Sequence, residues 1–162
     1  MSKGLKESLQ LIIQKGYKEF CYYLKIIPYR VVLFKGFFGT EVFKEIINNQ
    51  EILDNLGVKT PRLKKYFVEE LESLSLSKAG MTFPAKFESW IIINPLYLKT
   101  DLDDKLLLDF VETVAHETAH AIIFNWDIRW GHNDPHGEIT EYLQDYYQKS
   151  YDWKKLLKEN QV

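Results

Sequence analysis

The sequence predicts an α+β domain in which helices surround a small sheet, and three observations carry that expectation. Apolar residues recur at helical spacing through most of residues 1–76, two short β-rich runs follow near 79–93, and a long apolar segment leads into a last amphipathic stretch. The 162 residues are enough for one domain with a sizeable core and too few for two ordinary ones. The expectation is a single domain over 1–162. Residues 1–76 form its mainly helical N-terminal part; residues 77–160 carry a hairpin, a long helix, a loop and a final helix.

Leu5, Leu9, Ile12, Ile13, Phe20, Leu24 and Ile27 predict a first helix up to Pro28, despite Gly16. "YRVVLF" (29–34) reads as a short strand and "KGFFGT" as a turn. Val42, Phe43, Ile46, Ile47 and Leu53 predict a second helix, closed by Gly57 as its C′ residue. Pro61 suits the first turn of a third, which carries Phe67, Val68, Leu71 and Leu74. In "KAGMTFPAKFESWIIINP" turn residues separate two β-rich runs, which predicts a hairpin with strands near 79–84 and 88–93. Thr100 or Asp101 caps the next helix, expected from about Leu102 to Phe124, with Asp103 and Asp104 facing its dipole favourably. "NWDIRWGHNDPHG" reads as a loop, and a final helix is expected from about Glu138 to Leu157.

Composition narrows the function classes. Hydrophobic residues at 46% and charged residues at 27% describe a globular chain rather than a disordered one. A net charge of −2 gives no nucleic-acid footprint, and the clusters Arg62, Lys64, Lys65 and Lys154, Lys155 read as solvated faces. Cys21 is the only cysteine, which excludes an internal disulfide and a Cys₄ zinc ribbon, and reads as a small buried residue. No apolar run approaches membrane-spanning length and the N-terminus lacks a signal-peptide core, so a cytoplasmic protein is expected.

All four histidines, His116, His120, His132 and His136, lie within 21 consecutive residues. Residues four apart on a helix sit on one face a turn apart, so His116 and His120 in "HETAH" can share one zinc ion. Glu117 then lies beside the metal, placed to take a proton from zinc-bound water and pass it to a leaving amine. The surrounding helix is mostly apolar, where two unpartnered imidazoles would be costly. Asp109 and Glu112–Thr113, one or two turns earlier, are either supporting partners for the histidines or ordinary surface. A catalytic zinc takes three protein ligands and keeps one position open. A third histidine six residues after His120 is excluded because that residue is Trp126. His132, His136 and Glu141 remain, with Asp145 behind Glu141 in the manner of thermolysin-like enzymes.

"VAHETAHAI" followed by "GHNDPHGE", with "KAGMTF…WIIINPLYL" upstream, resembles the SprT-like (Spartan-type) zinc metalloproteases over roughly residues 77–147. The resemblance implies a zincin-like fold, one zinc per chain held by His116, His120 and His136, and Glu117 as general base. It implies a protein or peptide substrate, and it admits DNA through DNA-bound substrates although the charge does not indicate it. Gly137 would let the chain turn into the last helix after His136, and Pro135 would restrict the backbone entering it. Departures are also present: Thr140 replaces an aromatic residue, and the cysteine-rich ribbon of many bacterial members is absent.

Three further expectations concern the surroundings of the site. Trp90 to Ile93 form either an edge strand that pairs with an extended substrate or a buried central strand. Trp126, Trp130 and Phe87 form either an aromatic wall beside the metal or ordinary core. Tyr142, Tyr146 and His132 are the candidate oxyanion stabilisers.

Overall fold

The computed structural model describes residues 3–74, 77–98, 101–126 and 134–159. Helix α1 (Lys3–Tyr23) buries Leu5, Leu9, Ile12, Ile13, Tyr17, Phe20 and Cys21 along one stripe. It ends before the expected Leu24 and Ile27. Lys25 takes a left-handed φ of 58°, and Ile26 N–H donates to the Cys21 carbonyl (2.8 Å) while Lys25 N–H donates to that of Tyr22 (3.1 Å). These are the two bonds of a Schellman stop. Ile27 is left 81% exposed.

Strand β1 (Val31–Phe37) runs through the segment expected to turn. A register shift between Phe34 and Gly36 marks a bulge, and Gly36 supplies the φ of 126° that other residues rarely adopt. The expected second helix is two, α2 (Thr40–Ile47) and α3 (Gln50–Asn55). Asn49 breaks it by accepting a hydrogen bond from Ile52 N–H on its own side chain (3.0 Å), starting a new helix. Gly57 closes α3 with φ 74°, as expected. Helix α4 (Pro61–Leu74) begins at its proline, after Thr60, whose hydroxyl accepts from Leu63 N–H (3.2 Å).

The hairpin is present as β2 (Gly80–Pro84) and β3 (Glu88–Ile93), followed by a 3₁₀ turn at Pro95–Leu98. Helix α5 (Asp104–Trp126) is capped by Asp103, whose carboxylate accepts from Leu106 N–H (2.8 Å), instead of by Asp101; Thr100 lies outside the described residues. The expected final helix is again two, α6 (Asp134–Ser150) and α7 (Trp153–Glu159), with Asp152 accepting from Lys155 N–H (3.1 Å) at the break.

The sheet order is β1-β3-β2, with β3 parallel to β1 and antiparallel to β2. The strand carrying Trp90 to Ile93 is therefore central, which overturns its reading as a substrate-binding edge. Its alternate residues serve two cores: Ile91 and Ile93 face α1, α5, α6 and α7, while Trp90 and Ile92 face α2, α3 and α4.

The middle of α1 is tied to β1, and its later half and the segment after it to α5. Gln10 and Gln14 reach the outer side of β1: their amide oxygens accept from Phe34 N–H (2.6 Å) and Val32 N–H (2.9 Å), and Gln10 Nε2 donates to Val32 O (2.7 Å). Asn125, near the end of α5, accepts from Tyr17 Oη (2.7 Å) and Tyr29 N–H (3.1 Å) and donates to Ile27 O (3.0 Å). Arg30 Nε donates to the Phe124 carbonyl (3.0 Å). Among the described residues, no helix is long and apolar enough to cross a membrane.

Candidate metal centre

Helix α5 is buried on most of its circumference, with Phe110, Val111, Val114, Ala115, Ala119, Ala121, Ile122 and Ile123 in the core. His116 and His120 emerge half-buried on one face, a turn apart, and α6 brings His136 against them. Ring centroids stand 4.9 Å apart for His116–His120, 4.4 Å for His116–His136 and 4.1 Å for His120–His136. One nitrogen from each of the three lies within 4.8 Å of the others. Nitrogens bound tetrahedrally to one zinc at about 2.0–2.1 Å stand roughly 3.3 Å apart, so small ring rotations close the set. Three convergent imidazoles are a donor set that suits zinc.

His136 reaches the centre differently from the sequence expectation. It lies in the first turn of α6, which starts at Asp134 rather than Glu138, and Pro135 fits there because the first helical N–H groups need no partner. His136 is only 4% exposed, with Nε2 3.1 Å from the His116 carbonyl oxygen. Gly137 is inside α6, is not among the glycines with positive φ, and a Cβ there meets nothing within 4 Å. Its expected role as a turn residue is therefore corrected. Thr140, in place of the expected aromatic residue, donates to the His136 carbonyl (2.8 Å).

The competing candidates fare differently. Glu141 is exposed on α6 and is not part of the three-histidine group, and Asp145 pairs with Lys149 at 3.0 Å on the exposed face. His132 and Trp130 lie outside the described residues. Phe87 is exposed at the hairpin tip, and Tyr142 stacks on Tyr23 (5.2 Å) and meets Phe20 edge-on (5.0 Å), toward α1. Tyr146 packs against the large core. Thr113 is engaged by the Tyr97 hydroxyl (3.1 Å) and the Asp109 carbonyl (2.8 Å).

Glu117 is 3% exposed. Its Oε2 accepts from Thr82 Oγ1 at 2.6 Å, and its Oε1 lies 3.9 Å from His116 Nε2. Burial pushes its carboxyl up to about 7, against the downward pull of the Thr82 hydrogen bond. Gly80 packs just as closely: a Cβ there would stand 3.0 Å from Glu117 Cγ and 3.1 Å from both Ile92 O and Thr113 Cγ2. Sequence reasoning missed both strand residues as neighbours of Glu117. Their signal was the alternation of β2, which puts Gly80 and Thr82 on one face and Met81 and Phe83 on the other.

Comparison with protein-family models, with curated proteins and with solved structures returned no match. The residues themselves define the class: a three-imidazole site beside a buried carboxylate. His136→Ala should weaken zinc binding by more than about 100-fold, the upper range for losing a mere outer partner, while Glu141→Gln leaves it nearly unchanged. Calorimetric titration with zinc checks both; the reverse ranking would make Glu141 the third ligand.

Proposed function

We propose that the protein is a zinc-dependent peptidase of the SprT-like, zincin-like kind, with one zinc per chain held by His116, His120 and His136. The observation that carries this reading is Glu117: the one buried carboxylate among the described residues, held in one orientation next to three convergent imidazoles. When bound, zinc supplies a Lewis acid that polarises the scissile carbonyl and acidifies the attacking water. Glu117 Oε1 accepts the proton of that water and later delivers it to the leaving amine. A carboxyl raised toward neutrality by burial suits both halves of this transfer.

The substrate is an extended peptide, and the geometry of β2 supports it. Asn94 N–H donates to Ala79 O and Ala85 N–H to Glu88 O, so the odd-numbered residues of β2 pair with β3. The main-chain groups of Gly80 and Thr82 then point outward from the sheet, beside Glu117. The Pro84 carbonyl points the same way and accepts from Asn55 Nδ2. A peptide added as a strand here would run along β2, the strand whose Thr82 holds Glu117.

The test is reversible metal removal. Hydrolysis of an unfolded protein should vanish when a chelator strips the zinc and return when one equivalent is restored. Stoichiometric zinc with no hydrolysis of unfolded proteins or peptides would make this a non-catalytic zinc protein instead.

A further inference from the structure

Thr82 does more than line the site. Among the described residues, its hydroxyl is the one group that hydrogen-bonds the Glu117 carboxylate, at 2.6 Å to Oε2, and it also lies 3.2 Å from the Glu117 carbonyl oxygen. The neighbouring hydroxyls on α5 are engaged elsewhere: Thr113 donates to Asp109 O, and Thr118 donates to Val114 O at 2.7 Å. A glutamate has three rotatable side-chain bonds, and burial alone does not choose between its two oxygens. Strand β2 makes that choice. Gly80 passes close enough to Glu117 Cγ to fix the stem, and Thr82 holds Oε2, so Oε1 is the oxygen turned toward the histidines.

The same residue also faces outward. Thr82 lies at a β2 position whose N–H and C=O are not used by β3, so its main chain meets an added peptide strand while its side chain holds the carboxylate. Resting on the peptidase reading above, we infer that Thr82 is a positioning residue, which aims Glu117 Oε1 at the reacting centre and couples that aim to the strand on which the peptide is seated.

The test compares zinc-loaded wild type, Glu117→Gln, Thr82→Val and Thr82→Ser on one peptide substrate. Thr82→Val keeps the shape and removes the hydroxyl, and should lower kcat by about 10- to 100-fold, the scale set by misplacing a reacting group by about 1 Å. KM should stay within about twofold and zinc content should not change, because the peptide is bound by main chain and the metal by histidines. Thr82→Ser should recover most of kcat. A readout independent of activity is a double-mutant cycle in thermal unfolding: Thr82→Val should cost several degrees with Glu117 present and nothing in a Glu117→Met background. Unchanged kcat in Thr82→Val, equal losses in Val and Ser variants, or additive melting shifts would overturn the positioning role alone. A wild type no more active than Glu117→Gln would overturn it together with the peptidase reading.

Discussion

Glu117→Gln should reduce peptide hydrolysis by about 10²- to 10⁴-fold, the usual worth of a positioned general base, while one zinc per chain is retained. The amide matches the carboxylate in shape, so contact with Gly80 and acceptance from Thr82 survive; what is lost is a site for the proton. The same substitution has a second, measurable effect on the metal-free protein. Burial lifts the Glu117 carboxyl to about 7 from an ordinary value of 4.5, so the folded state keeps a proton that the unfolded state releases in between. Metal-free wild type should therefore lose stability as pH rises from about 4.5 to 7 and level off above that. Glu117→Gln should remove this contribution and leave the metal-free protein more stable at pH 8, by on the order of 3 kcal/mol. Undiminished hydrolysis would take Glu117 out of the mechanism, and an unaltered pH slope would contradict its buried, protonated state.

Gly16→Ala should destabilise the fold severely, against the ordinary rule for helices. In the middle of an exposed helix the change would add about 1 kcal/mol by helix propensity. Here the new Cβ would lie 2.1 Å from Tyr147 Oη and 2.5 Å from its Cζ, far inside contact distance. The ring has nowhere to go. Tyr147 is fully buried, its hydroxyl lies 3.2 Å from Thr118 Oγ1, and Trp153 Nε1 donates to its carbonyl at 2.9 Å. Overpacking of this kind costs about 1–3 kcal/mol or more, which at this chain length moves the melting temperature by roughly 3–10 °C. Thr118 lies on α5 beside His116 and His120, so displacing Tyr147 should also disturb the three-histidine group. Tyr147→Leu removes the clashing atoms. In that background Gly16→Ala should cost much less; an equal cost in both backgrounds would place the strain elsewhere.

Some of this organisation was legible in the sequence, and the divide has physical causes. His116 and His120 could be placed on one face because four-residue spacing in a helix is a local property. The hairpin was legible for the same reason, since its turn residues and β-rich runs are adjacent. Gly57 announced its left-handed turn. By contrast, the start of α6 was missed because Asp134–Pro135 reads equally well as a turn or as a helix opening, so His136 was expected in a loop. The break at Asn49 was missed because Val42 to Leu53 keep a plausible apolar rhythm across it, and a single side-chain cap decides the matter. That β3 is central depends on β1 arriving from more than fifty residues upstream (Val31 pairs with Glu88), which no local pattern records. Thr82 was invisible for a related reason: its meaning comes from the helix that lies beneath it, 35 residues away.

Gln10 and Gln14 give the sheet a handedness of access. By filling the outward hydrogen-bonding positions at Val32 and Phe34, their amides occupy the place a fourth strand would need beside β1. Among the described residues, Gly80 and Thr82 of β2 keep the corresponding groups unclaimed. Any chain that joins this sheet by main-chain pairing, whether a peptide or another copy of the protein, is thereby directed to the side where Glu117 stands. On the proposed peptidase reading, a second copy paired to β2 through its main chain would occupy the groups that a peptide substrate needs.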